Sequence, residues 1–249
     1  MMSARNPPLV VLHIPHRSKV IPSLSPFCLK LETFLRMANV PYQISYGMKR
    51  SKKGKLPWIE VNGEQIDDSN FCVKHLENLF TVHLDSHLNS QELAISYAFW
   101  KMLEENTYWV ILYDRWVSNY TTFKSEFLQD SYPSILRSLA PAVLQKNYKK
   151  QLFAQGMGRH HPEEVYTIGR KDLMALSEFL DDKTFMMGDK PCTLDAVAFA
   201  VIAVILYSLP NSELQAYLAS RDNLVLYCKR MKEKYWSDWD EEIIGQIKS

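Results

Sequence analysis

Ser25-Pro26-Phe27-Cys28 sets a hydroxyl and a thiol three residues apart, just where a helical pattern begins. A thiol redox enzyme needs a low-pKa cysteine at such a start, where helix amides and the helix dipole stabilise a thiolate. Here serine holds that place, and Cys28 lies one turn deeper. Serine cannot become the thiolate, but its hydroxyl can donate a hydrogen bond to a bound one and so favour its charge. Serine before proline also reads as a plain helix cap, worth about 1 kcal/mol. Ser25 is thus open to three readings: a cap, a contact to a bound thiol, and a bystander to redox chemistry at Cys28. Ser18 and Ser23, earlier on the same loop, are weaker rivals for the thiol contact.

Tyr108, Trp109, Tyr113 and Trp116 form an aromatic stripe on a helical stretch, with Arg115 beside it. Such a stripe can line an apolar ligand cleft between domains or can simply pack between helices. Arg115 can hold an acid group or face solvent. The loop Lys49-Arg50-Ser51-Lys52-Lys53-Gly54-Lys55 carries five basic residues in seven. It suits a carboxylate, a weak contact with an anionic membrane surface, or plain solvent exposure. His83 and His87, and the adjacent His160-His161, lack the three or four converging ligands of a metal site, so no metal is expected.

The elements that must hold these residues belong to a chain of 249 residues, long enough for two domains. Its hydrophobic fraction is 47%, which supports a sizeable core. A net charge of +1 argues against a general nucleic-acid binder. Cys28, Cys72, Cys192 and Cys228 form no CxxC pair, so reduced thiols and a cytoplasmic location are the simplest expectation. The apolar run Leu9–Leu12 is too short for a secretory signal and is interrupted by His13. The uncharged run 196–210 has 15 residues, short of the roughly 20 that span a bilayer, and reads as a helix buried on all sides.

Leu9–Ile14 reads as a strand, 26–38 as a helix with Pro26 at its first turn, and Tyr42–Tyr46 as a second strand. Asn62-Gly63 between Leu56–Val61 and Glu64–Ile66 marks a hairpin. Asp68-Ser69 opens a helix that runs to Phe80. Beyond Asn89 helical patterns dominate: roughly 90–118, 133–155, 162–181, 193–209 and 221–235. These expectations define an α/β domain over 9–82 and an all-helical domain over 89–240.

This plan resembles that of glutathione transferases. Ser23–Thr33, Gly54–Glu60, Tyr108-Trp109, Gly156–Arg159, Glu163–Tyr166 and Thr193–Ala196 are similar to one branch, the failed axon connections family, itself related to metaxins and to cadmium-responsive nematode proteins. The resemblance runs from about Val10 to Trp239. It implies an N-terminal thioredoxin-like domain and a C-terminal helical bundle. It also implies a cis bond before Pro57, a glutathione site from Pro57, Trp58, Ile59, Asp68, Ser69 and Lys55, and Ser25 as the group that stabilises the thiolate. The acid-serine pair would meet the γ-glutamyl end: the helix start at Ser69 attracts a carboxylate, and Asp68 an ammonium.

The chain departs from the family pattern in three places. The segment Gly47–Lys55 is too short for a regular second helix of the thioredoxin-like unit. Cys192 stands where the helix-capping signature before Asp195 carries serine or threonine, which suggests a cap shifted to Thr193. The membrane anchor of some family members is not expected here. Three functions follow from the resemblance. The first is a glutathione transferase acting on an apolar electrophile, with a homodimer as a natural assembly. The second is a non-catalytic carrier of haem, lipid or a carotenoid-type pigment. The third is an adaptor with a neurodevelopmental-type role.

Overall fold

The computed structural model describes residues 8–128 and 139–244. The chain opens with β1 (Val10–Ile14), α1 (Pro26–Met37), β2 (Tyr42–Tyr46), β3 (Trp58–Val61), β4 (Glu64–Asp67) and α2 (Ser69–Phe80). The four strands form one mixed sheet in the order β2-β1-β3-β4, with β1 parallel to β2 and β3 antiparallel to both its neighbours. Val10, Leu12 and Ile14 alternate inward along β1 and meet Val61 and Ile59 of β3 on the same face. Together with the cores of α1 and α2 they make the buried half of this thioredoxin-like unit.

No helix lies between β2 and β3. The segment makes a tight turn at Ser51–Lys55, closed by Ser51 N–H to the Lys55 carbonyl at 3.0 Å and Gly54 N–H to the Ser51 carbonyl at 2.8 Å. Gly54 takes φ +75, a left-handed conformation that glycine adopts at no steric cost. The segment covers the far face of the sheet in place of a helix. There Trp58 stacks on His13 with ring centres 3.5 Å apart, and its indole N–H donates to the Lys49 carbonyl at 2.9 Å.

The helical half begins with α3 (Ser90–Met102), capped by Asn89 and Glu92 in a capping box. It continues through a π-helical stretch Leu103–Thr107, α4 (Tyr108–Tyr113), a second π-helical stretch Asp114–Ser118, α5 (Tyr120–Phe123) and a third at Lys124–Leu128. Then come α6 (Leu139–Gln155), a 3₁₀ turn at Met157–Arg159, α7 (Pro162–Leu180), α8 (Thr193–Ser208), α9 (Glu213–Ala219), α10 (Asp222–Tyr235) and α11 (Trp239–Ile244). The expected helix over 90–118 is therefore interrupted, and α9 and α11 are additions that the sequence pattern did not announce. Residues 133–138 of the expected helix 133–155 lie outside the described residues.

α8 is apolar on every side, with nearly all of its residues buried, and α1 packs along it. No single helix among the described residues is long and apolar enough to cross a membrane; the bent pair α8–α9 would qualify only by combined length and composition. The cap of α8 corrects the expected shift. Cys192 remains the N-cap, and Asp195 accepts its backbone N–H at 2.8 Å. Thr193 instead donates its backbone N–H to Asp85 at 2.6 Å.

Candidate site at the head of the sheet

His13 of β1, Trp58 of β3 and Asp67 of β4 lie in one row across the sheet. β1 runs toward this row, β3 starts from it, and β4 ends on it. The loop into α1, the Leu56-Pro57 step and the start of α2 must therefore meet at one end of the sheet. Antiparallel pairing is what brings together Ser25, Pro57 and Ser69, which are far apart in sequence.

Ser25 is the N-cap of α1, with extended backbone (φ −91, ψ 119). Its hydroxyl oxygen accepts the Cys28 N–H at 3.4 Å, beyond the usual range for a firm bond, and the same hydroxyl is within hydrogen-bond reach of the Cys28 thiol. Ser25 is half-buried, at the edge of the site. Ser23 is turned inward at 2% exposure and accepts the Ser25 N–H at 3.2 Å.

The Leu56-Pro57 peptide is cis. Trp58 and Ile59 follow inside β3, paired on both edges, with their side chains buried. Asp68 caps α2 and accepts the Asn70 N–H at 2.9 Å. Its φ of +75 with ψ 126 lies outside the ordinary wells of a non-glycine residue. Such backbone costs of order 1–3 kcal/mol and clusters at ligand sites. Ser69 occupies the first turn of α2 at 4% exposure, while Lys55 is exposed on the turn before Pro57.

The aromatic stripe divides. Tyr108 meets Phe27 edge-on at 4.8 Å, beside the start of α1, and Trp109 packs edge-on against Tyr108 at 5.6 Å. Tyr113 and Trp116 are each 5% exposed. Trp116 stacks on Tyr148 at 4.5 Å and contacts Phe123 at 5.5 Å. Trp116 lies inside the second π-helical stretch, whose extra residue rotates it relative to an α-helical count; Tyr113 closes α4 itself, one α-helical turn beyond Trp109. Arg115 is also drawn inward, donating to the Leu24 carbonyl at 2.7 Å and to the Ser208 hydroxyl at 2.6 Å. Between Pro26, Phe27, Lys30, Leu103, Glu104, Tyr108, Val197 and Val201 the described residues leave a void of only ≈ 10 Å³, about the space of one water.

Sequence reasoning missed the polar cluster that closes this seam. Lys30 of α1 donates to Glu104 at 2.5 Å and to the Asn70 side-chain carbonyl at 2.6 Å, and the Asn70 amide donates to Glu104 at 2.9 Å. The three side chains join α1, α2 and the first π-helical stretch in a closed ring of bonds. Burial pulls the Lys30 ammonium below its usual value, and Glu104 pulls it back up. A second cluster lies further along α1. Arg17 makes two 2.6 Å bonds to the fully buried Glu32, and Arg36 pairs with Asp238 at 2.5 Å, tying α1 to the start of α11. The available signal was Lys30-Leu31-Glu32 inside an otherwise apolar helix: charges flanked by core residues on both sides.

All four cysteines are buried. Burial pushes the Cys28, Cys72 and Cys228 thiols up to about 12 and Cys192 higher still. Cys28 is fully enclosed, so the helix start offers Ser25 and no thiol of its own. Native protein is expected to take up less than about one equivalent of iodoacetamide at pH 8 in the time that all four thiols react in denaturant. Mass spectrometry of the alkylated protein checks this. Fast labelling of Cys28 in the native state would return redox chemistry to the site.

Residues 26–122 match the family described as Glutathione S-transferase N-terminal domain, and residues 169–231 match Glutathione S-transferase, C-terminal domain. The chain is 38% identical over 248 residues to Failed axon connections of Drosophila melanogaster, covering 94% of this chain and 59% of that protein. It thus spans less than two thirds of that relative's length. It is 30% identical over 224 residues to isoprene-epoxide–glutathione S-transferase of Rhodococcus sp. (strain AD45), covering 86% of this chain and 94% of the other. In fold it is similar to a β-etherase from Sphingobium sp. strain SYK-6, with a TM-score of 0.64 at 12% identity over 95% of this chain and 99% of that one.

Proposed function

Because the chain belongs to the failed axon connections family, within the glutathione S-transferase-like superfamily, we propose that it binds glutathione at the head of the sheet. The observation that carries this reading is the convergence there of the Ser25 hydroxyl, the Leu56-Pro57 step and the strained Asp68-Ser69 start of α2. The amides at Ser69 receive the γ-glutamyl carboxylate, and the exposed Asp68 its ammonium. Trp58 and Ile59 serve by holding the Pro57 backbone at the sheet's end. Lys55 offers a cation to the glycine carboxylate. Ser25 turns its hydroxyl proton to the sulfur and stabilises the thiolate.

With Ser25 in that role, the chain is a weak thiol transferase toward an apolar electrophile. The Rhodococcus relative, an isoprene-epoxide–glutathione S-transferase, supports an electrophile of that kind. Tyr108 and Trp109 are the aromatic side chains set nearest the start of α1. The seam between them and Phe27 would have to open for a second substrate, so chemistry is expected to be slow and glutathione binding the primary property.

Calorimetric titration with reduced glutathione tests the reading. Binding is expected in the micromolar to low-millimolar range, weakened about tenfold or more by Ser69→Ala, a change of ~1.4 kcal/mol. Ser25→Ala is expected to lower turnover more than affinity. No binding by the wild-type protein would refute the assignment.

A second reading, an adaptor or self-associating surface, has its own support in α3. Leu93, Ile95 and Tyr97 are 42%, 42% and 62% exposed, and Ser96 is that helix's buried residue. Exposed apolar side chains on a helix suit a partner face, including a second copy of this chain.

A further inference from the structure

Three cations surround the first turns of α1, and they are balanced differently. Arg17 is bonded to Glu32 and Glu242, and Lys30 to Glu104. Arg115, 5% exposed, gives its bonds to two neutral acceptors, the Leu24 carbonyl and the Ser208 hydroxyl. Its Nε has no hydrogen-bond partner among the described residues. The adjacent carboxylate, Asp114, accepts instead from Tyr166 at 2.8 Å, Ser212 at 2.5 Å and Asn119 at 3.1 Å. A buried cation without a bonded carboxylate is costly to the fold. Its positive charge is delivered to the residue before Ser25, where the first turn of α1 adds the positive end of its dipole.

We propose that Arg115 is a positioning residue that fixes the Leu24–Ser25 backbone and supplies a charge, bonded to no carboxylate, that favours an ionised thiol beside Ser25. The identity of that thiol rests on the glutathione reading above; the field at position 25 does not. The ionisable groups facing Arg115 are Tyr108, Asp114 and Tyr148, and those on the α1 side are Cys28, Arg17 and Glu32. Burial keeps the Tyr108 hydroxyl and the Cys28 thiol protonated at neutral pH. It also lowers Arg115 to about 10, which leaves the guanidinium charged there. Asp114 is the opposing charge, with its oxygens turned to Tyr166, Ser212 and Asn119.

The test places a reporter thiol by Ser25→Cys and follows its alkylation by iodoacetamide as a function of pH. The buried native thiols give a silent background. The reporter's apparent pKa is expected to lie below the ordinary cysteine value of about 8.5. It is expected to rise by about one unit or more in S25C/R115M, as loss of a nearby opposite charge requires. S25C/R115K, which keeps the charge, is expected to stay close to S25C. Arg115→Gln repeats the comparison if Arg115→Met does not fold. Equal values with and without the Arg115 charge overturn the proposal, and so does an S25C thiol at or above the ordinary value, with no second substitution needed. Calorimetry of the wild type with S-methylglutathione is read separately. Absence of binding there overturns glutathione as the thiol, whereas an unmoved reporter overturns Arg115.

Discussion

Glu104→Ala is expected to destabilise the protein by about 3–5 kcal/mol, because it strands the Lys30 ammonium in the seam between α1, α2 and the helical half. Both side chains are nearly enclosed, 3% and 4% exposed, and the Asn70 carbonyl would be the ammonium's remaining partner in the ring. Urea unfolding at pH 7 measures the loss. The pH dependence gives an independent signature. Burial already holds Lys30 below its usual value of 10.5, and Glu104 is the main group raising it. Removing Glu104 lowers the folded-state value further. Between that value and the unfolded one, the unfolded chain carries more protons than the folded chain, so stability rises with pH. The variant should therefore gain stability between pH 7 and pH 9 relative to wild type. Lys30→Met with Glu104→Leu should recover most of the loss, since apolar replacement of a buried pair is often neutral or better. A cost under about 1 kcal/mol for Glu104→Ala would mean that the pair behaves as a solvated one.

Asp195→Ala should be nearly as damaging, by a different mechanism. Asp195 is wholly buried and accepts from the Met186 N–H at 2.8 Å, the Cys192 N–H at 2.8 Å and the Tyr227 hydroxyl at 2.9 Å. It joins the loop before α8, the first turn of α8 and the body of α10 through one carboxylate. Each orphaned buried donor costs about 1–3 kcal/mol, and the three are coupled, so a total of about 3–5 kcal/mol is expected. Asp195→Asn keeps the shape and one acceptor oxygen and should lose distinctly less. Thermal or urea unfolding of the two variants side by side decides this. Equal, small losses would show that Asp195 is replaceable by water and that the cap is not what holds α8 in place.

Much of the backbone that frames the candidate site was legible in the chain because it is local. Ser25 ahead of Pro26, the Asn62-Gly63 hairpin and Asp68-Ser69 are short-range signals whose backbone meaning survives any tertiary context. Where long-range packing sets the environment, the pattern misled or fell silent. Trp116 keeps an α-helical register with Trp109 only if every turn has 3.6 residues; the π-helical stretch that contains it breaks that count, and Trp116 packs on Tyr148 and Phe123 in the core. Cys192 kept the cap because the Asp195 carboxylate, and not the cap side chain, satisfies the helix start. Lys30 stands out only as a charge between core residues, Glu104 and Asn70 carry no such signal, and their ring exists because α1, α2 and the segment after α3 meet around one seam.

What the sequence determined alone was the order of elements in the sheet half, the residue types at its helix starts and the family to which the chain belongs. Periodicity, turn residues and caps are properties of neighbours along the chain. Tertiary structure alone decided which charges are compensated. Arg115, 90 positions from Ser25, bonds the Leu24 carbonyl and has no bonded carboxylate among its described partners. Burial and distance set a charge's effect, and neither is written in spacing along the chain.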